Sequence, residues 1–209
     1  SVDGTLAEHE LTLALAARTA PLLRKQGYTV FTTRQGDGNL VLSAQDLDGN
    51  GTLDDGEYLQ PRTDLANLVG ADVVVSLHFN GSLSPADSGS SVYYAAAGPY
   101  IEASRRLAVI MQNALVTGLR RSGYATADLG ALSDAGLKTY GTLYSLGQNP
   151  QLARKGRWPG VVIEPLFLTN ARDAQFLMRR DALDVLAQGV ARGVRAYFER
   201  AGRTCTRCL

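Results

Sequence analysis

Two histidines, two cysteines and one tryptophan are all that this 209-residue chain holds of those types, and each scarcity excludes something. Both cysteines, Cys205 and Cys208, stand in the last few residues, so no disulfide framework ties the body together. No second ligand pair stands beside them, which argues against a structural zinc site in the tail and leaves a tail disulfide or two free thiols. No apolar run approaches the length that spans a bilayer. Charge of either sign is not in excess, with 21 Lys and Arg against 20 Asp and Glu and a net charge of +1. Nothing therefore steers the chain toward nucleic acid. The basic pairs Arg24-Lys25 and Arg120-Arg121 fall at expected helix ends, where cations suit the dipole. There is no internal repeat and no low-complexity linker. The opening Ser1-Val2-Asp3-Gly4 has no methionine and reads as a mature or trimmed product.

What is present is the composition of a soluble globular protein, in a length that suits one domain over residues 1–202 followed by a tail, 203–209. Residues 8–27 read as a helix, with Leu11, Ala14, Leu15 and Leu22 on one face and Gly27 as its stop. Pro21 lies inside it and predicts a kink or a split. Tyr28 to Thr33 is a β-rich run. Residues 35–57 form a long polar loop with an apolar island at Leu40-Val41-Leu42, and a second helix is expected over 58–69. Residues 71–79, Ala-Asp-Val-Val-Val-Ser-Leu-His-Phe, have the continuous apolar character of a strand buried on both faces. A turn-rich stretch over 84–90 precedes a short strand at 91–95. Leu107, Ile110, Met111, Ala114 and Leu115 mark a long helix ending near Gly118. Residues 123–150 are glycine-rich without a period and resist assignment. A strand at 160–168 and a final helix carrying Leu183, Leu186, Val190 and Val194 complete the pattern. Strands alternating with helices predict a three-layer α/β/α sandwich around a mostly parallel sheet.

Asp46 to Glu57 reads Asp-Leu-Asp-Gly-Asn-Gly-Thr-Leu-Asp-Asp-Gly-Glu and matches every position of a calcium loop. Asp46, Asp48, Asn50 and Asp54 fall at positions 1, 3, 5 and 9. Thr52 at position 7 offers its carbonyl, and Glu57 at position 12 offers two oxygens. Gly51 sits where the loop must turn sharply. Hard Ca²⁺ takes six to eight oxygens, and this spacing gathers them on one point. The alternative is an acidic, glycine-rich surface loop without an ion.

Three polar residues stand where apolar ones would be expected. His78 ends Val73-Val74-Val75-Ser76-Leu77, Glu164 ends Val161-Val162-Ile163, and Glu8 opens the first long helix. In an α/β sheet, sites form at the carboxyl ends of strands, which suits His78 and Glu164. Each also has a structural reading. A lone strand-end histidine is commonly a satisfied rim residue, and a glutamate in the first turn of a helix is favoured by the dipole. Glu164 is harder to explain that way, because a buried carboxylate is costly unless paired, protonated or bound to metal.

The order of these motifs resembles the type 3 N-acetylmuramoyl-L-alanine amidases, zinc-dependent enzymes of the bacterial cell wall. The stretch Glu8-His9-Glu10-Leu11-Thr12-Leu13-Ala14-Leu15-Ala16 is similar to the opening of that family's first helix. Gly27-Tyr28-Thr29-Val30-Phe31-Thr32-Thr33-Arg34 resembles its second strand. Arg62, Ala66-Asn67, Ala71-Asp72 and Ser76-Leu77-His78-Phe79-Asn80 follow in the family's order. Ile163-Glu164-Pro165-Leu166-Phe167-Leu168-Thr169-Asn170 resembles its last motif. The resemblance spans nearly the whole chain. It implies that Glu8 and His78 are zinc ligands, that Glu164 is the catalytic glutamate, and that the substrate is the amide between muramic acid and L-alanine. Peptidoglycan glycan and stem peptide would be the partners, in an extracytoplasmic setting.

Two departures qualify it. The family's first strand, ending in an Asp-Pro-Gly-His-Gly-Gly segment that carries another zinc ligand, has no counterpart before Glu8. His9 adjoins Glu8 on a helix, where neighbouring side chains diverge, and catalytic zinc normally keeps three protein ligands. Pro165 stands where the family has a small or apolar residue. The rival readings are a catalytically inactive peptidoglycan-binding domain and a calcium-dependent wall-associated module.

Overall fold

The computed structural model describes residues 6–36, 43–137, 142–200 and 202. The Ser1 start, the island at residues 40–42 and the cysteine tail lie outside the described residues. Helices α1 (Glu8–Lys25) and α2 (Asp55–Leu68) precede strands β1 (Val74–Leu77) and β2 (Ser90–Tyr94). Helix α3 (Ile101–Arg121), strands β3 (Asp128–Ser133) and β4 (Gly160–Glu164), and helices α4 (Ala171–Leu177) and α5 (Ala182–Arg200) follow. The sheet order is β1-β4-β2-β3. β1 pairs with β4 and β2 with β3 in parallel, whereas β2 runs antiparallel to β4. The sheet is thus mixed, with parallel pairs in the majority.

One face of the sheet carries α1, α3 and α5. Leu107, Met111, Leu115 and Leu119 recur at four-residue spacing on α3 and pack with Leu186, Val190 and Val194 of α5 and Leu15 and Leu23 of α1. Two glycines let α5 approach α3 closely: a Cβ at Gly193 would lie 2.5 Å from Met111 Sδ, and one at Gly189 would lie 3.0 Å from Leu115 Cδ2. The other face carries α2, whose Ala66 packs with Ala71, Val74 and Trp158. Trp158 itself is nested against glycines. Cβ atoms at Gly147, Gly156 and Gly160 would come within 2.7, 2.8 and 2.5 Å of its ring.

A fully buried carboxylate organises the far end of the sheet. Asp173 accepts hydrogen bonds from Ser88 Oγ at 2.8 Å, from the Phe167 amide at 2.9 Å, from the Gly89 amide at 3.3 Å and from the Tyr124 hydroxyl. Burial and this carboxylate push the Tyr124 hydroxyl well above its ordinary range. Four donors from three segments of the chain satisfy what would otherwise be a costly buried polar group.

Several sequence expectations are corrected. Residues 28–33 form no strand; among them Val30 makes a single-residue bridge, and β-propensity by itself does not make a ladder. Pro21 does not split α1, which runs unbroken from Glu8 to Lys25. α2 begins at Asp55, three residues before the expected Tyr58. Asp54 is its N-cap, accepting the Glu57 amide at 2.8 Å while the Glu57 carboxylate accepts the Asp54 amide at 3.2 Å. This reciprocal capping box starts the helix inside the acidic loop. β4 stops at Glu164, before Pro165, which has no N–H to extend the ladder. The unassigned stretch contains β3.

Candidate active site

Parallel pairing places the carboxyl ends of β1 and β4 side by side, with Leu77 opposite Ile163 and the His78 amide donating to the Ile163 carbonyl at 3.0 Å. His78 and Glu164, each one residue beyond that pair, therefore emerge at the same end of the sheet. The first residue of α1 reaches over to them. Glu8 Oε1 lies 3.1 Å from His78 Nδ1 and accepts the Phe79 amide at 3.2 Å. Ser76 Oγ stands 3.1 Å from His78 Nε2, so both ring nitrogens have partners. With Nδ1 carrying the proton, it donates to Glu8 and Nε2 accepts from Ser76.

The electrostatics differ sharply between the two glutamates. Burial raises the Glu8 carboxyl, but the bonds from His78 and Phe79, joined by the positive charge of the His78 ring when it is protonated, outweigh it and leave it below the ordinary range. Glu164 has no such help. Its Oε2 is buried without any hydrogen-bond partner. Burial first, and the Glu8 charge second, push its pKa up to about 8. Ser91 lies directly opposite Glu164 across the β2–β4 ladder, and its Oγ is likewise buried without a partner. Two unsatisfied polar atoms on neighbouring strands mark a place where the fold holds hydrogen-bonding capacity in reserve.

Glu8 and His78 converge at a spacing that two ligands of one tetrahedral zinc adopt, since bonds of about 2.0–2.2 Å set neighbouring donors roughly 3.3 Å apart. Among the described residues no third histidine, cysteine or carboxylate joins that pair within 4.8 Å. His9 is exposed, and its backbone carbonyl accepts from Arg34. Arg34 also donates to Thr12 Oγ1 at 2.9 Å. Beside the pair opens a cavity of about 690 Å³ whose lining includes Glu8, His78, Arg34, Arg62 and Tyr144. Ser76 and Ser91 were not singled out by the sequence reading. Ser76 could have been found from strand alternation, being two residues from His78; Ser91 could not, because its register depends on the sheet.

The acidic loop also converges. Asp46, Asp48 and Glu57 each bring one oxygen within 4.8 Å of the others. Asp46 accepts the amides of Gly49, Asn50 and Gly51 at 2.7, 3.2 and 2.8 Å. These bonds, that of Gly51 foremost, hold its carboxyl below the usual range. Asn50 Oδ1 accepts the Thr52 amide at 2.8 Å. Buried Glu57 accepts the amides of Leu47 and Asp48 at 2.5 and 3.2 Å. Gly49 and Gly51 take the left-handed conformation, φ 76° and 83°, which glycine adopts without strain.

The profile of the N-acetylmuramoyl-L-alanine amidase family matches residues 1–196. The chain belongs to this family. The amidase is 26% identical to the germination-specific N-acetylmuramoyl-L-alanine amidase of Bacillus subtilis over 97% of its own length and 75% of that protein's. It is 32% identical to the amidase LytC of the same organism over 95% of its own length, but spans only 32% of LytC. Among solved structures, the CwlD amidase of Clostridioides difficile, determined in complex with the GerS lipoprotein, superposes with a TM-score of 0.73 at 20% identity. That match covers 95% of this amidase and 89% of CwlD. The catalytic domain of CwlV from Bacillus (Paenibacillus) polymyxa gives 0.69 at 24% identity, covering 95% and 88%. These likenesses agree on the α/β fold. Among the described residues, no helix is long and apolar enough to cross a membrane.

Proposed function

We propose that this amidase is a peptidoglycan hydrolase that cleaves the amide between N-acetylmuramic acid and the L-alanine of the stem peptide, with Glu164 as its proton-carrying group. The observation that supports this most is the state of Glu164: a strand-end carboxyl, its Oε2 buried and unpartnered, with a pKa of about 8 beside the Glu8–His78 pair. A group that titrates near neutrality can donate a proton to a leaving amine and, once ionised, accept one from an attacking water.

Glu8 and His78 would hold zinc, which the family is known to use. Zinc bound there supplies Lewis acidity toward the amide carbonyl. The chain's own residues do the remaining work. Ser76 fixes the His78 ring through Nε2, and the Phe79 amide fixes the Glu8 carboxylate, so both donors are oriented in advance. The site lies at the carboxyl ends of strands, open to a polymer, and its setting is extracytoplasmic, where peptidoglycan is found.

Calcium would occupy the loop through Asp46, Asp48, Asn50, the Thr52 carbonyl, Asp54 and Glu57. Its role is to stabilise the start of α2 and not to take part in the chemistry. Asp54 can serve both as helix cap and at loop position 9, a position that often acts through water.

The test is muramoyl-amide cleavage together with zinc content, for the protein and for Glu164→Gln. The variant should keep the zinc content and lose at least about a hundredfold in kcat, in the range that general acid–base groups contribute. Unchanged turnover in Glu164→Gln would overturn the assignment.

A further inference from the structure

The carboxyl end of the sheet carries one row of residues on a single face. Ser91 stands opposite Glu164 on β4 and opposite Gly130 on β3. β1 and β4 keep parallel register up to Leu77 and Ile163, so the next rung brings His78 beside Glu164. Residues on one rung point to the same face of a pleated sheet. The row therefore reads His78, Glu164, Ser91, Gly130. Glu164 has the Glu8–His78 pair on one flank and Ser91 on the other.

Ser91 has few choices of partner. It is 0% exposed, and its Oγ has no hydrogen-bond partner among the described residues. Its neighbour on β3 is a glycine, which offers no side chain. Its neighbour on β4 is Glu164, whose Oε2 is also buried without a partner, although the residue as a whole is partly exposed. Directly opposed residues of an antiparallel pair hold their Cβ atoms about 4.5–5.5 Å apart, a span that a serine hydroxyl and a glutamate carboxyl together bridge. Turning the serine from one staggered position to another is a small motion. The preceding residue gives the contrast: Ser90 Oγ, on the opposite face, donates to Gln112 Oε1 at 3.3 Å. A hydroxyl donates one hydrogen bond, and an ionised carboxylate is a strong acceptor for it.

We propose that Ser91 is a positioning residue for Glu164: its hydroxyl donates to the inward oxygen, Oε2, and so holds the carboxyl with its other oxygen facing the site. Ser91 acts through Glu164 and not on the substrate. A bond to Oε2 stops the carboxyl from rotating. It also favours the ionised form, the one that accepts a proton from an attacking water. It thereby opposes the burial that pushes Glu164 up. The inference rests on the reading of Glu164 as the proton-carrying group.

Substitutions at Ser91 separate the hydroxyl from the space it fills. Ser91→Ala removes it without adding volume, while Ser91→Val and Ser91→Thr share one shape and differ in the hydroxyl. The Glu164 carboxyl carbon is followed by NMR through a pH titration of the metal-free protein, a readout that needs no turnover. Glu8 and His78 are the same in every variant, so their charges cancel in the comparison. Ser91→Ala and Ser91→Val should titrate at least about half a pH unit above the unaltered protein, and Ser91→Thr should stay with it. In muramoyl-amide cleavage, Ser91→Ala and Ser91→Val should lose at least about tenfold in kcat with KM unchanged, and Ser91→Thr should retain most of it. On a Glu164→Gln background the Ser91 substitutions should cost little more. Equal titration in Ser91→Val and Ser91→Thr would overturn the proposal, as would a Ser91→Ala titration identical to that of the unaltered protein. Full turnover in Glu164→Gln would instead overturn the catalytic reading, and the titration would still decide whether the hydroxyl bonds to Oε2.

Discussion

Glu8 Oε1 lies 3.1 Å from His78 Nδ1, so a residue at the start of the first helix meets one at the end of a strand 70 positions later. Because the same oxygen accepts the Phe79 amide, Glu8 both fastens α1 to β1 and presents a donor. Glu8→Gln keeps the shape and removes the charge. Zinc affinity should fall by at least about 100-fold, beyond the 10- to 100-fold that outer-shell partners contribute. Isothermal titration with Zn²⁺ measures it. His78→Ala should behave the same way, and Ser76→Ala should cost less than either.

Glu164 makes the metal-free protein pH-sensitive. Its folded pKa of about 8 lies above the ordinary 4.5. The folded state therefore holds a proton that the unfolded state releases, and the associated stability is complete below about pH 4.5 and lost as pH rises toward 8. Urea unfolding should show a decline of at most about 1.4 kcal/mol per pH unit in that window. Glu164→Gln, which is neutral throughout, should flatten the profile. An equally steep profile in the variant would assign the effect to other groups.

Asp173 should be among the least replaceable residues outside the active site. Asp173→Ala leaves the Ser88, Gly89, Tyr124 and Phe167 donors without their acceptor. The expected loss is about 3 kcal/mol, typical of removing one member of a buried charged network. Tyr124→Phe removes one donor and should cost about 1–2 kcal/mol. Chemical denaturation of both variants would separate these magnitudes.

Calcium should raise the melting temperature at millimolar concentration, the affinity range of extracellular calcium modules. Asp48→Ala should abolish the rise while changing the calcium-free melting temperature little, because the Asp48 carboxylate's bonds, to Asn50 and Asp46, stay within the loop. A melting temperature indifferent to the ion would leave Asp46–Glu57 as a self-bonded loop that starts a helix.

How much of this was legible depended on whether a feature is local. The faces of α3 and α5 follow from a period that one helix carries by itself. The prominence of Glu164 follows from a charge ending an apolar run, and the prominence of His78 from a polar strand end. Tyr28 to Thr33 misled because β-propensity describes a residue's fit to a ladder and not the ladder's presence. β3 was invisible because it is an edge strand with Leu129 and Leu132 exposed, so it lacks the alternation that marks a half-buried strand. The start of α2 was hidden because Asp54 and Glu57 serve a capping box within a stretch that also spells a calcium loop. The pairing of Glu8 with His78 came from the family resemblance; residue physics alone offered no reason to join a helix start to a distant strand end.

Trp158 is the only tryptophan in the chain. It is nearly fully buried, it borders the cavity beside β1, and its indole N–H has no partner among the described residues. All indole emission from this chain therefore reports from a single location, at the wall of the cavity that Glu8 and His78 also line. A change in the polarity next to the ring would register as a shift in emission colour without any added dye. The fold has in effect placed its own optical gauge beside its candidate active site.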